Sequence, residues 1–324
     1  MTELEQILSD EMGREGPLPF HRFMELALYH PQHGYYTCSR DPFGKDGDFF
    51  TAEQLQPVFG RLIAQYLEAL RGEMANAGDF TVVELGAGRG EMEPYLRHLH
   101  YRAVDLRSSE WPHNVRGVFF ANEFFDALTV DVAKRSGAGF HEMRVAWIGN
   151  RFEWTQGSEV TGAALAYAEA NACDEEDAWV EIPREAFTYV DRIAEALSDG
   201  YLLVIDYGYR RRERIRFPRG TLMSYRKHQA LDDVLAEPGR RDITAHVPFD
   251  PLIEHAVARG LELQQMESMT SFLLRAGEPD QFQRALESTS ERESMRLRLQ
   301  LKTLLAGMGE TFRVAQWRKR PLKK

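Results

Sequence analysis

The stretch Phe80-Thr81-Val82-Val83-Glu84-Leu85-Gly86-Ala87-Gly88-Arg89-Gly90 decides the fold. A short β-rich run ends in an acidic residue, turns through glycines at alternate positions, and leads into a segment of helical character from Glu91 to Leu99. Glycine serves close backbone approach, because it takes φ > 0 without strain and puts no side chain between main chain and ligand. The start of the following helix is expected to add free N–H donors. A dinucleotide site spaces its glycines G-x-G-x-x-G and lays a pyrophosphate on the helix start. Here Gly86, Gly88 and Gly90 give G-x-G-x-G, and Glu84 stands two positions ahead of the first. A carboxylate at that point repels a pyrophosphate and suits a cation. S-adenosylmethionine (SAM) carries an ammonium and a sulfonium, and Glu84 can pair with the ammonium. A tight strand–helix turn without a ligand is the plainer alternative.

Outward from this loop the chain alternates strands and helices. Asp105 ends a second short strand, Tyr101 to Asp105, 21 residues after Glu84. An acid about 20 residues past a glycine loop can hydrogen-bond a ribose diol, and NAD and SAM both carry adenosine. A third strand, Val118 to Ala121, runs into Asn122-Glu123-Phe124-Phe125-Asp126-Ala127-Leu128. A fourth, Tyr201 to Asp206, is almost wholly apolar, as a strand buried on both faces should be. This alternation predicts a doubly wound sheet, with ligands at the carboxyl ends of its strands. Asn122, Glu123 and Asp126 fall at that edge. One helical turn would put Glu123 and Asp126 on the same side, although Asn122 or Asp126 could equally cap a helix.

Elsewhere, apolar spacing predicts helices over 3–12, 20–29 and 54–72, with further helices over 160–170, 184–198 and 251–259. Residues 129–155 read as antiparallel strands around Gly137 and Gly149-Asn150, and two more strands are expected between Leu261 and Leu274. A helix from Gln281 to Leu305 and a basic tail from Arg318 should close the chain.

The 324 residues carry 50 acidic and 40 basic side chains, a net charge of −10 that argues against a general nucleic-acid binder. The basic runs Arg210 to Arg216 and Arg318 to Lys324 read as solvated surface. Two cysteines, Cys38 and Cys173, lie far apart without a C-x-x-C partner, so neither a disulfide framework nor a metal site is expected. With no long apolar run and an acidic, polar N-terminus, neither a membrane span nor a targeting leader is expected, and elimination leaves a cytoplasmic location.

Gly-Tyr-Tyr-Thr at 34–37, Gly47-Asp48-Phe49-Phe50-Thr51, the glycine loop, Asn122 to Leu128, Asp206-Tyr207-Gly208, Asp242-Ile243-Thr244-Ala245-His246 and Met308 to Val314 together resemble the MidA-type SAM-dependent methyltransferases, from about Leu18 to Arg313. Mitochondrial members of that family are arginine methyltransferases that assist assembly of respiratory complex I. The resemblance implies an α/β class I methyltransferase (Rossmann-like) sheet with an N-terminal helical extension and a β-rich insertion, and SAM as cofactor. It implies a helical extension and cofactor-covering loop over 1–75, a core over 76–128 and 178–275, an insertion over 129–177, and a C-terminal helix and tail over 276–324. Gly47, Asp48, Phe49 and Thr51 match a motif expected to fold over the cofactor. Glu84, Gly86, Ala87, Gly88 and Gly90 match the SAM loop, Asp105 the ribose-binding acid, and Asn122, Glu123 and Asp126 the motif facing the methyl group. Asp242, Thr244 and His246 match a second motif of unassigned role. The 12 residues from Leu106 to Gly117 are fewer than the family usually has between these strands, and Trp111 could supply a replacement adenine wall.

Methyl transfer from a sulfonium is an in-line displacement that needs alignment more than acid–base chemistry. For an arginine acceptor, a carboxylate can grip the planar guanidinium and stabilise its charge. Glu123 is the first candidate for this role and Asp126 the second. His246 is a candidate proton acceptor, with a structural histidine as the plainer reading. A protein acceptor, such as a respiratory-complex subunit, follows from the resemblance. A non-catalytic assembly factor that keeps the fold and an NAD-linked oxidoreductase are the competing functions.

Overall fold

The computed structural model describes residues 1–38, 55–74, 77–105, 110–226, 229–309 and 311–321. Helices α1 (Glu3–Glu15) and α2 (Phe20–Tyr29) flank the two-residue strand β1 (Leu18–Pro19). Next come α3 (Val58–Glu73), β2 (Thr81–Leu85), α4 (Glu93–Leu96), β3 (Arg102–Val104) and β4 (Val115–Asn122). The middle of the chain forms β5 (Asp131–Ser136), β6 (Gly139–Ile148), β7 (Arg151–Glu159), α5 (Gly162–Asn171), β8 (Trp179–Ile182), α6 (Arg184–Ala196) and β9 (Leu197–Tyr209). Then β10 (Met223–Arg226), β11 (Gln229–Leu231), β12 (Asp242–Thr244) and β13 (Val247–Pro248) lead to α7 (Phe249–Ala258), β14 (Glu262–Ser268), α8 (Met269–Gly277), α9 (Glu291–Lys302) and β15 (Phe312–Lys319). Of the described residues, 1–38, 126–187 and 209–248 form one compact unit, and 55–125, 188–208 and 249–321 form a second.

The second unit is built on a sheet of order β14-β15-β9-β4-β2-β3. β3, β2, β4 and β9 run parallel, and β15 is antiparallel to both of its neighbours. The apolar runs in β2, β4 and β9 reflect burial on both faces. One face presents Val82, Val118, Phe120, Leu203, Ile205 and Val314 to α3, α8 and α9, where Phe59, Leu62, Ile63, Phe272 and Leu297 meet them. Val58, Phe59, Leu62, Ile63, Tyr66, Leu67 and Leu70 recur at helical spacing along α3 and are all buried. Each such large apolar side chain contributes about 1.5–3 kcal/mol on full burial. Val83, Phe119, Leu202, Val204 and Trp317, at the alternate strand positions, are as fully enclosed. Asp191 on α6 accepts hydrogen bonds from His255 Nε2 at 2.6 Å and Arg259 Nε at 2.7 Å, which pins α7 to α6.

Thr81, Gly117 and Gly200 form one cross-strand row in this sheet. A Cβ on Gly117 would lie 2.0 Å from the Thr81 carbonyl oxygen, and one on Gly200 would lie 1.9 Å from that of Gly117, with φ at +147° in both. The Gly117→Ala variant is therefore expected to lose about 3 kcal/mol of stability. A urea midpoint indistinguishable from that of the parent would show that the row can open.

In the first unit, β1-β6-β5-β8 form an antiparallel sheet with β7 added alongside β6, and β11-β10-β12 form a small second sheet. Leu4, Leu8, Phe20, Phe23, Met24 and Leu28 of α1 and α2 pack with Val130, Val132, Met143, Val145 and Ile243. A capping box between Thr2 and Glu5 fixes the start of α1. The N-terminal helices and the β-rich segment over 129–177 thus share a core.

Several expected elements differ. The helix expected over 281–305 is regular α-helix only from Glu291 to Lys302. Arg318 and Lys319, expected in a basic tail, end strand β15. Between Leu261 and Leu274 there is one strand, β14, and then helix α8, because Ser268 Oγ accepts the Ser271 N–H as an N-cap. Among the described residues no helix is long and apolar enough to cross a membrane.

Candidate active site

The glycine loop leaves the carboxyl end of β2. The Gly86 N–H donates to the Val104 carbonyl at 2.9 Å, which ties the loop to the end of β3, and Gly90 closes a turn onto the Ala87 carbonyl at 2.8 Å. Gly86, Gly88 and Gly90 have φ of 68°, 53° and 74°. At Gly86 the need for glycine is also steric, since a Cβ would stand 2.7 Å from Phe124 Cδ2. Ala87 is buried, whereas Gly88 is exposed. Glu84 is only 1% exposed. It accepts a hydrogen bond from the Tyr101 hydroxyl at 2.5 Å, so a buried carboxylate stands beneath the loop. Asp105 follows β3 directly and is exposed.

The helix expected from Glu91 is cut short. Residues 88–92 are turns and α4 holds only Glu93–Leu96 before a 3-10 turn over Arg97–Leu99. The N–H donors at this site therefore belong to the loop itself and not to a long helix dipole.

β4 ends in Asn122, and the chain turns sharply there. Glu123 takes φ +51°, an uncommon conformation for a side chain of that size. Its N–H donates to the Ile205 carbonyl at 2.9 Å. The Asn122 Nδ2 lies 3.3 Å from Glu123 Oε1. Asn122 is 5% exposed. Its Oδ1 is a buried acceptor with no donor among the described residues, so the position fits a ligand N–H such as an ammonium.

Asp206, read from the sequence as the end of a buried strand and part of a family motif, lies near the end of β9. Its fully buried carboxylate accepts the N–H groups of Phe124 at 3.2 Å and Phe125 at 2.8 Å on Oδ2, and that of Tyr207 at 2.9 Å on Oδ1. Burial, and next the negative charge of Glu123, push it up to about 8 against the pull of the three N–H donors. The folded pKa lies above the unfolded value of 3.8, so the stability this group contributes is present below that pH and is lost as pH rises through about 8.

Asp126, Asp242, Thr244 and His246 belong to the first unit. Asp126 is buried, and its carbonyl accepts the Ala245 N–H at 2.9 Å, which sets it against the 242–246 motif. Asp242 accepts a hydrogen bond from the Tyr36 hydroxyl at 2.9 Å, and Thr244 is buried beside it on β12. The His246 N–H donates to Thr221 Oγ1 at 3.0 Å, and its ring meets Phe217 edge to face. Burial and then Arg216 lower the His246 pKa, which keeps the ring neutral at pH 7. Gly47, Asp48, Phe49 and Thr51 lie outside the described residues.

Trp111 is not positioned as an adenine wall. Its indole stacks on Phe119 with centroids 5.8 Å apart, the Arg192 guanidinium lies 3.9 Å over the ring, and Nε1 donates to the Arg192 carbonyl. The ring is taken up by these packing contacts.

The chain matches the family described as "Putative S-adenosyl-L-methionine-dependent methyltransferase" over residues 91–266, more than half its length. The Drosophila melanogaster protein named "Protein arginine methyltransferase NDUFAF7 homolog, mitochondrial" is 26% identical to it, over 78% of this chain and 72% of the relative. The Homo sapiens protein named "Protein arginine methyltransferase NDUFAF7, mitochondrial" is 24% identical, over 96% and 82%. A crystal structure of a Burkholderia thailandensis protein bound to S-adenosyl-homocysteine superposes with a TM-score of 0.87 at 28% identity, covering 98% of this chain and 92% of that one.

These relatives overturn the cytoplasmic location expected from composition, because they are named as mitochondrial. That expectation came by elimination from the amino-terminal residues, which say nothing about where the folded domain works. The NAD-linked alternative falls with the same comparisons. Among the described residues β3 is the edge of the sheet, and an antiparallel strand, β15, lies between two strands of the opposite direction. The buried Glu84, the exposed glycine loop and the open Asn122 acceptor meet the needs of a ligand with an ammonium group, and the chain belongs to this family of SAM-dependent methyltransferases, with a class I fold and SAM as its cofactor.

Proposed function

We propose that the chain transfers the methyl group to an arginine side chain of a protein, with Glu123 as the residue that grips the guanidinium. The observation that carries this reading is the Asn122–Glu123 turn: a carboxylate held in a rare backbone conformation at the carboxyl end of a central parallel strand. Strain of this kind persists where the surroundings over-determine it, and it clusters at functional sites. The relatives named as protein arginine methyltransferases support the acceptor.

Bound SAM supplies an activated methyl on its sulfonium. The chain's own task is to hold the acceptor nitrogen in line and to compensate its charge. A guanidinium stays charged in water at neutral pH, and a carboxylate that accepts two of its N–H groups fixes its plane and leaves another nitrogen free. In this proposal Glu123 makes that contact. Glu84 and Asn122 take the ammonium of the cofactor, the loop from Gly86 to Gly90 gives close backbone approach, and Asp105 takes the ribose.

The test is transfer of label from tritiated SAM to candidate acceptor proteins, starting with respiratory-complex subunits, followed by complete hydrolysis. Labelled methylarginine is expected. Label on another residue type would overturn the arginine assignment. Tight S-adenosyl-homocysteine binding without transfer to any acceptor would favour a factor that uses the fold without the reaction.

A further inference from the structure

We infer that Asp206 is the positioning residue of this site: its buried carboxylate sets both the strained turn that carries Glu123 and the seat of the glycine loop. The second role runs through Phe124. Asp206 Oδ2 accepts the backbone N–H groups of both Phe124 and Phe125, the two residues directly after Glu123. The Phe124 ring lies so close over Gly86 that a Cβ there would meet Cδ2 at 2.7 Å, and Tyr189 of α6 backs the ring edge to face at 5.0 Å. One carboxylate at the end of β9 therefore holds the turn after β4, and that turn's aromatic ring holds the loop after β2. β9 and β4 are adjacent parallel strands in register, with Asn122 opposite Ile205, so the acid stands one residue beyond the last pair.

Both oxygens of the buried Asp206 carboxyl accept backbone N–H groups. Those N–H groups would otherwise be donors left without acceptors in a sharp turn. No side chain but a short acid supplies acceptors on both sides from this position. An amide offers one oxygen and turns its NH2 on the remaining donor. The charged groups around Asp206 are Glu123, from the end of β4, and Arg313, its cross-strand neighbour on β15.

The inference rests on the proposed placement of Asn122 and Glu123 beside the cofactor, not on arginine as the acceptor, so its test uses S-adenosyl-homocysteine alone. Calorimetric titration of the full chain is expected to show affinity about tenfold or more weaker in Asp206→Ala, and a smaller loss in Asp206→Asn, which keeps one oxygen for the Phe124 and Phe125 donors. The spectroscopic counterpart is amide hydrogen exchange at Phe124 and Phe125, slow in the parent, faster in Asp206→Asn and fastest in Asp206→Ala. Affinity within twofold of the parent in both variants would overturn the inference and leave Asp206 a purely structural residue, even if their melting temperatures fall. Should Asp206→Ala fail to fold, Asp206→Asn decides: unchanged affinity and unchanged exchange at Phe124 and Phe125 overturn the inference, and graded loss of both supports it. Failure of the arginine reading would leave these results untouched.

Discussion

Valine at position 88 will abolish cofactor binding while leaving the protein folded. Gly88 sits at φ 53° and is exposed at the crest of the loop, between the buried Ala87 and the half-buried Gly90. A β-branched side chain there pays about 1–2 kcal/mol for a left-handed conformation. It also fills the surface along which a ligand would lie against the main chain. The first cost lowers the melting temperature by a few degrees, at roughly 2–4 °C per kcal/mol for a chain of this size. The second removes binding: a shift in Kd from about micromolar to beyond about millimolar corresponds to roughly 4 kcal/mol. Gly86→Val cannot serve the same test, because its Cβ meets the Phe124 ring and the variant would disturb the core as well as the loop. Calorimetric titration with S-adenosyl-homocysteine should therefore give no heat of binding for Gly88→Val. Retained micromolar affinity would place the cofactor away from this loop.

The loop was readable because everything that defines it is local. A β-rich run, an acid and alternating glycines lie within eleven residues, and each has a conformational or chemical consequence of its own. The helix after it was overread, since Gly90 and Pro94 leave room for only one short turn of α4. What escaped the sequence depends on partners far along the chain. Asp206 read only as the end of an apolar strand because the N–H groups it serves belong to Phe124 and Phe125, about eighty positions earlier. Arg318 looked like part of a solvated tail because its partners are equally remote. Its guanidinium pairs with Asp199 at 2.5 Å and lies over the Tyr201 ring at 4.8 Å, so a charged residue becomes the buried end of β15. The same reasoning disposes of Trp111: its stacking face was visible in the sequence, but Arg192 and Phe119, which occupy it, were not. Charge and aromatic residues are read from sequence as surface or ligand features unless a neutralising or stacking partner lies nearby, and in an α/β sheet those partners come from other strands.

Glu123→Gln should lose methyl transfer by about a thousandfold while S-adenosyl-homocysteine binds within about threefold of the parent affinity. Glutamine keeps the shape and length of the side chain, and the turn that carries it is held through the backbone, by Asp206 on Phe124 and Phe125 and by the Ile205 carbonyl on the residue's own N–H. The substitution thus removes charge without removing the support. What is lost is the paired acceptance of two guanidinium N–H groups by a carboxylate: an amide offers one oxygen and presents an NH2 to the second donor. If that pairing both orients the acceptor and compensates its charge as the bond forms, its removal falls on the transfer step and not on cofactor affinity. A second signature follows from the same charge. Glu123 helps hold the Asp206 carboxyl above its ordinary value, so Glu123→Gln should lower the Asp206 pKa, readable by carbon-13 NMR of the side-chain carboxyl. Loss of transfer together with a lowered Asp206 pKa and intact cofactor binding would place Glu123 on the acceptor side of the methyl group. Parallel loss of transfer and of S-adenosyl-homocysteine binding would instead make it a cofactor ligand.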